Sequence, residues 1–530
     1  MSAMSDQIVL IANLSKTLQE QYGAQCVSVL ETHISYVLLT GRHAYKIKKA
    51  VKLDFLDFST LELRRFYCQE ELRLNRRYAP QLYLDLVAIS GSPEAPVIEG
   101  SGPAIEYAVK MREFSQEDLA DRVLARGQLC ASHIDALATK LATFHRSCKP
   151  TAVDSVYGSP ETILQRAQEV FIEIRRLLTE PADLADLEWI EQWTAQEFAA
   201  CSPTFIERKT DGFVRECHGD LHLGNLALID GEISFFDCIE FSEDLRWIDV
   251  MNEVAFLVMD LQSHGRPDYA YRFLNVYLEE TGDYAGLGAL RFYVVYRAMV
   301  RAYVTLLRMS QSNSVDQPGL TNKYRSYVDV AKRWAQPTHA ALLLTHGLSG
   351  SGKTTVSQDF LQAIGAIRLR SDVERKRMAG MASIASSQSE VGDGLYTGEV
   401  TEATYRRLFA LMPSIINAGY IVIVDATFLQ RGQRRMFSEW AHGHDVPFAI
   451  LSVAAAPAVL RERITRRAQE KTDASEADLA VLEHQRNTQQ PFAPEELASV
   501  LAYEPNAPLD EAGSAASWRA WLRRAGISLA

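Results

Sequence analysis

A chain of 530 residues is too long for one hydrophobic core and implies two to four domains. Its 47% hydrophobic and 23% charged residues fit a soluble globular protein, and a net charge of −12 argues against sequence-independent nucleic-acid binding, which leaves a basic footprint. Seven cysteines with no Cys-x-x-Cys pair suggest neither a disulfide framework nor a zinc site. The opening residues lack the basic start and apolar core of an export signal, and no apolar run reaches membrane-spanning length, so a reducing cytoplasm without membrane contact is expected.

From Ser5 to Tyr22, the spacing of Ile8, Ile11, Leu14 and Leu18 predicts a helix with one apolar face. Strands follow at Val27–Leu30 and Tyr36–Thr40, the second passing through the Gly41-Arg42 turn into His43-Ala-Tyr-Lys46-Ile-Lys48-Lys49. Such a hairpin can lie over a nucleotide, with Lys46 on its phosphates. Lys48 shares that face at period two and remains a candidate. The helix predicted over Ser59–Arg77 carries Glu62, Glu70 and Glu71, one of which is placed to pair with the strand lysine. Glu70 is preferred because Leu74, one turn later, anchors the helix; Glu71 is the alternative. Strands near Tyr83–Ile89 and Ala104–Met111 complete a small lobe to about residue 112, and a helix at Ile134–His145 begins a larger one.

The first chemical centre is Cys217-His218-Gly-Asp220-Leu-His222-Leu-Gly-Asn225, followed by a hairpin through Asp230-Gly231 to a strand ending at Asp237. Asp220 can accept the proton of an attacking hydroxyl, while Asn225 and Asp237 can hold magnesium against ATP phosphates. This pattern resembles the aminoglycoside phosphotransferases and their relatives among choline and fructosamine kinases, which share the protein-kinase-like fold. The resemblance implies Asp220 as base, Asn225 and Asp237 as metal ligands, Lys46 on the nucleotide, and Asp249 of Trp247-Ile-Asp249-Val as a brace for the catalytic loop. The nucleotide loop expected at Glu31–Tyr36 has no glycine and offers only Thr32 and Ser35. Farther on, Arg297 and Arg301 stand one turn apart in a helical part that receives substrate in the resembling family, where they can bind an anionic group.

The second centre follows the apolar run Ala340–Thr345: Gly347-Leu-Ser349-Gly350-Ser351-Gly352-Lys353-Thr354-Thr355, then a helical segment. Strand, G-x-x-x-x-G-K-T and helix in this order form a phosphate-binding loop. Its amides cradle phosphate oxygens, Lys353 reaches the terminal phosphates, and the Thr354 hydroxyl holds magnesium. Asp372, after a second strand, is placed as base, with Arg375 one turn on for an acidic substrate group. Asp425 ends a buried parallel strand, where such sheets place their sites and a carboxylate can serve the metal. Arginines 463, 466 and 467 crowd a helix that can close over ATP. Residues 340–494 resemble the group containing gluconate kinase, chloramphenicol phosphotransferase, zeta-toxin-like kinases and the kinase domain of polynucleotide kinase. That resemblance implies Lys353 and Thr354 on ATP-magnesium, Asp372 as base, Arg375 on substrate, and Arg463 and Arg467 among the lid arginines.

The whole chain looks like bacterial fusions of the two types. The expected architecture is α/β multidomain: a bilobal α+β kinase-like domain over 1–335, its helical lobe from about 113, and a P-loop domain with a parallel sheet flanked by helices over 336–530. The expected activity is ATP- and magnesium-dependent phosphoryl transfer by both domains to hydroxyl groups of small molecules. Two alternatives are a P-loop half acting on nucleotides or nucleic-acid 5′-hydroxyls, and one half serving as a non-catalytic regulatory module. A nucleic-acid acceptor is the less favoured partner.

Overall fold

The computed structural model describes residues 3–23, 27–53, 56–311, 317–382, 397–470, 477–503, 515–524 and 527. They gather into two compact units, Met1–Arg166 with Phe205–Asp260, and Ala167–Thr204 with Leu261–Ala530. Among the described residues, no helix is long and apolar enough to cross a membrane.

In the first unit, helix α1 (Ala3–Tyr22) lays Leu10, Ile11, Leu14 and Leu18 against an antiparallel sheet. Its strands are β1 (Ser28–Glu31), β2 (Ser35–Leu39), β3 (His43–Lys48), β4 (Tyr83–Ser92), β5 (Ala95–Ile98) and β6 (Ala104–Arg112), in the order β1-β2-β3-β6-β4-β5. Alternation along β3 sends Tyr45 and Ile47 into the core under α1. Lys46 and Lys48 point the other way, to helix α2 (Leu61–Asn75). That helix starts at Thr60, whose side chain accepts from the Leu63 amide. Beyond helix α3 (Ala131–Ser147), a short strand β7 (Val214–Glu216) leads into the loop carrying Asp220. The hairpin β8 (Leu226–Ile229) and β9 (Glu232–Phe235) follows, turning through Asp230 and Gly231, both at positive φ as a two-residue hairpin requires. Strand β10 (Trp247–Asp249) pairs with β7 and runs straight into helix α4 (Val250–Ser263).

The second unit contains helices α5 (Pro267–Thr281), α6 (Leu287–Gln311) and α7 (Gln317–Trp334) together with a five-stranded parallel sheet. The strands are β11 (Ala341–His346), β12 (Ile367–Arg370), β13 (Ile421–Asp425), β14 (Phe448–Val453) and β15 (Val500–Tyr503), in the order β12-β13-β11-β14-β15. Continuous apolar runs suit β11 and β13 because both faces are covered: all five residues of β13 are buried. Helices α8 (Lys353–Ile364), α9 (Ser371–Met378), α10 (Gly398–Asn417), α11 (Pro457–Glu470) and α12 (Leu479–Thr488) follow in chain order. A terminal helix α13 (Ala515–Arg524) sets Trp518 and Trp521 edge-to-face against Phe360 of α8. The mixed α/β architecture, with a kinase-like N-terminal region and a C-terminal parallel sheet flanked by helices, agrees with the sequence reading.

Candidate active sites

In the P-loop half, the loop leaves β11 at its C-terminal end and enters α8. Gly347, Gly350 and Gly352 all have positive φ, which frees the backbone to curl. A Cβ on Gly347 would lie 2.3 Å from the Val453 carbonyl oxygen, so only glycine fits there. Lys353 opens α8 and donates to the Leu348 carbonyl at 2.9 Å. Burial lowers its pKa to about 8, against the pull of Asp425 and Asp372. Thr354 donates its hydroxyl to Asp425 Oδ2 at 2.9 Å, and Ser357, one turn on, lies 3.4 Å from the same oxygen. Hydroxyl and carboxylate oxygens at one point form a donor set suited to magnesium, a hard cation.

These groups open onto a cavity of about 1330 Å³. Ser349, Gly350, Gly352, Lys353, Thr354 and Thr355 line it, whereas Gly347 and the buried Ser351 do not. Asp372, Arg375 and Asp425 line the same cavity, with Asp372 and Arg375 paired at 2.8 Å. Arg463, Arg466 and Arg467 also reach it from α11. Arg463 donates to Ser351 O at 3.2 Å, and Arg467 to Ala477 O at 2.7 Å. Three contributors carry no motif signal. Gln485 on α12 accepts from the Ser349 amide at 2.9 Å, Tyr405 accepts from the Phe428 amide at 3.1 Å, and Ser357 extends the metal end. Ser357 follows Thr354 by three residues on α8, so helical spacing was the available cue.

In the first unit, Lys46 is paired with Glu71 at 2.8 Å and with Asp237. Lys48 reaches the other oxygen of Glu71, also at 2.8 Å, and pairs with Glu240. The sequence preference for Glu70 is therefore corrected: Glu70 pairs with Arg73, three residues on, and the lysines fall to Glu71. Helical phase explains it. The buried face of α2 runs through Arg64, Cys68, Glu71 and Leu74, and residue 70 lies off that face. Burial alone would raise the Glu71 carboxyl, yet Lys46 and Lys48 hold it well below the ordinary carboxylate range. Burial raises that of Glu240.

Asn225 donates to the backbone oxygen of Asp220 at 2.9 Å and to its Oδ2 at 3.2 Å, so candidate base and metal ligand share one turn. The Phe236 amide donates to Asn225 O at 3.0 Å, which sets Asp237 beside that turn. Asp237 holds φ at +64°, in the left-handed region that aspartate tolerates better than most side chains, and its amide donates to the Tyr83 hydroxyl at 2.9 Å. The catalytic-loop brace differs from the expectation. Asp249 is engaged by Arg208 at 2.7 and 2.8 Å, whereas Glu253 on α4 accepts from the His218 and Gly219 amides, both at 2.7 Å. The second oxygen of Glu253 meets His145 at 2.9 Å. The glycine-free turn closes on itself: the Ser35 amide donates to the Thr32 hydroxyl at 2.9 Å. Arg297 and Arg301 are buried on α6, over the rings of Tyr296 and Tyr327, and neither lines the P-loop cavity.

Comparison with known proteins finds a family match around each of the two motif regions. Residues 104–293 match the model of the phosphotransferase enzyme family, and residues 342–492 match an AAA domain model. The chain thus carries a region similar to the phosphotransferase enzyme family followed by one similar to an AAA domain. Uncharacterized proteins of Mycobacterium tuberculosis H37Rv and Mycobacterium bovis are 29% identical over 459 residues, covering 86% of this chain and 89% of each relative. Among solved structures, a gluconokinase from Sinorhizobium meliloti is 20% identical over 36% of this chain and 94% of its own, with a TM-score of 0.25. A choline/ethanolamine kinase family protein from Mesorhizobium loti is 10% identical over 62% and 95%, with a TM-score of 0.39.

Proposed function

We propose that this protein is a bifunctional phosphotransferase, each half moving the γ-phosphoryl group of ATP to a hydroxyl of a small-molecule acceptor. The kinase-like half extends to about residue 335 and the P-loop half follows. The observation that carries the reading is that Lys353, Thr354, Asp372 and Asp425 line one cavity: a cation for phosphates, an oxygen pair for magnesium, and a second carboxylate for the acceptor hydroxyl. Magnesium, when bound, neutralises phosphate oxygens; the protein's own part is positioning and charge compensation. Lys353 meets the terminal phosphates, Asp372 takes the acceptor proton, and Arg375 holds an anionic part of the acceptor. The lid arginines Arg463 and Arg467 draw in over the nucleotide.

In the kinase-like half, Asp220 acts as base, Asn225 and Asp237 as the metal pair, and Lys46, held by Glu71, faces the nucleotide phosphates. The Lys46, Glu71 and Asp237 cluster supports this assignment. A second reading, that this half binds nucleotide without transferring phosphate, is favoured by one observation: the Thr32 and Ser35 turn spends its hydroxyl and amide on itself. The test is transfer from γ-labelled ATP to a pooled metabolite library, comparing the intact protein with Asp220→Ala and Lys353→Ala. Two sets of labelled products, each lost in one variant, support two kinases. Labelling abolished by Lys353→Ala and untouched by Asp220→Ala would make the first half a binding module.

A further inference from the structure

Among the described residues, strand β12 is the edge of the parallel sheet, and an edge strand leaves backbone groups without a strand partner. Helix α5, which belongs to the stretch matching the phosphotransferase model, supplies the missing partners. Asn275 accepts from the Arg368 amide at 2.7 Å and donates to the Ala366 carbonyl at 3.0 Å. One turn along, one oxygen of Glu279 receives Arg368 through Nε at 2.9 Å and through its terminal nitrogen at 2.8 Å, and the other oxygen meets Arg370 at 3.6 Å. Asn275, Glu279 and Arg368 are buried, with Arg368 3% exposed.

The guanidinium does not stop at Glu279. Its other terminal nitrogen lies 3.3 Å from both the Thr354 carbonyl and the Ser357 hydroxyl. Ser357 in turn lies 3.4 Å from Asp425 Oδ2, the oxygen that receives the Thr354 hydroxyl. A buried cation thus stands one hydroxyl away from the carboxylate suited to magnesium. Left uncompensated, it would compete with a metal for that carboxylate; neutralised by Glu279, it serves as a strut.

We propose that Glu279 is a positioning residue of the P-loop site, which by orienting and neutralising Arg368 sets how strongly Thr354 and Asp425 hold magnesium. The proposal rests on the phosphotransferase reading of this half. It gives the fusion a physical reason, because a helix from the preceding region completes the metal end of the site that follows it.

The test reads the loop itself. In the full chain, hydrogen–deuterium exchange of the 347–356 segment is followed with ADP while magnesium is titrated. Glu279→Gln is expected to raise the half-protecting magnesium concentration about tenfold, as one uncompensated charge near a dication demands, and to leave protection by metal-free ADP unchanged. The double variant Glu279→Gln/Arg368→Gln is expected to return to within about threefold of the parent, because the cation next to Ser357 leaves with its counter-ion and the Arg370 contact given up is the longer one, at 3.6 Å. If Glu279→Gln loses the fold, Glu279→Asp is read instead, with a smaller shift in the same direction expected. A magnesium dependence equal to the parent's, or a double variant worse than the single one, overturns the proposal. Failure of the parent loop to be protected by ADP with magnesium overturns the phosphotransferase reading of this half, and the proposal with it.

Discussion

Lys353 yields a proton-linkage prediction that can be worked through. In the nucleotide-free protein its pKa is lowered to about 8 by burial. The folded site therefore holds it mostly neutral above that pH and mostly charged below. Phosphate oxygens favour the charged form, so nucleotide binding draws a proton onto Lys353 wherever the free lysine is neutral. At about pH 8.5 the neutral fraction of a group titrating near 8 is about three quarters, and at about pH 7 it is about one tenth; these are the protons taken up per nucleotide bound. Affinity at the P-loop should accordingly fall with rising pH above about 8, approaching tenfold per pH unit. Lys46 adds nothing to this signal, because Asp237 and Glu71 outweigh its burial and hold it protonated far above that range. Calorimetry of ADP-magnesium binding in buffers of different ionisation enthalpy measures the uptake. Lys353→Arg, which keeps a cation that does not titrate, should abolish it. Equal uptake in Lys353→Arg and the parent would refute the reasoning.

The buried ion pairs of the first unit predict a contrast between adjacent glutamates. Glu71→Gln removes the carboxylate shared by buried Lys48 and partly buried Lys46, each of which keeps a second acidic partner, and should cost about 1.5–3 kcal/mol, together with the labelled products assigned to Asp220. Glu70→Gln releases a partly exposed pair with Arg73 and should cost about 1 kcal/mol or less; urea denaturation and product labelling check both. At the phosphate loop, Gly347→Ala drives a Cβ to 2.3 Å from a carbonyl that cannot rotate away, at a φ of +145°. It should lower the melting temperature and abolish nucleotide protection of the loop, with a strain of about 1–3 kcal/mol. Gly443→Ala, with nothing within 4 Å, should do neither.

What the sequence made legible was whatever covalent spacing controls. The phosphate loop, the His218-to-Asn225 turn and the hairpin to Asp237 are local, and the structure has each on the expected strand or loop. The period-two placement of Lys46 and Lys48 was also readable, and the two lysines share Glu71. Choosing between Glu70 and Glu71 needed the phase of α2. Leu74 stands four residues after Glu70 but three after Glu71, and the buried face runs through Cys68, Glu71 and Leu74. Glu253 lies 34 and 35 residues from the amides it holds, beyond the reach of a local pattern. Likewise, nothing in the sequence around Glu279 points to Arg368, 89 residues later, because long-range burial decides that pair.

The central claim is that the chain carries two separate ATP-magnesium sites. The most direct measurement is equilibrium binding of a non-hydrolysable ATP analogue with magnesium to the intact protein, repeated with Lys353→Ala and with Lys46→Ala. The account predicts two nucleotides per chain in the parent and one in each variant, with the P-loop segment losing its exchange protection only in Lys353→Ala. A single nucleotide per chain in the parent, lost entirely in one variant and retained in the other, would contradict it.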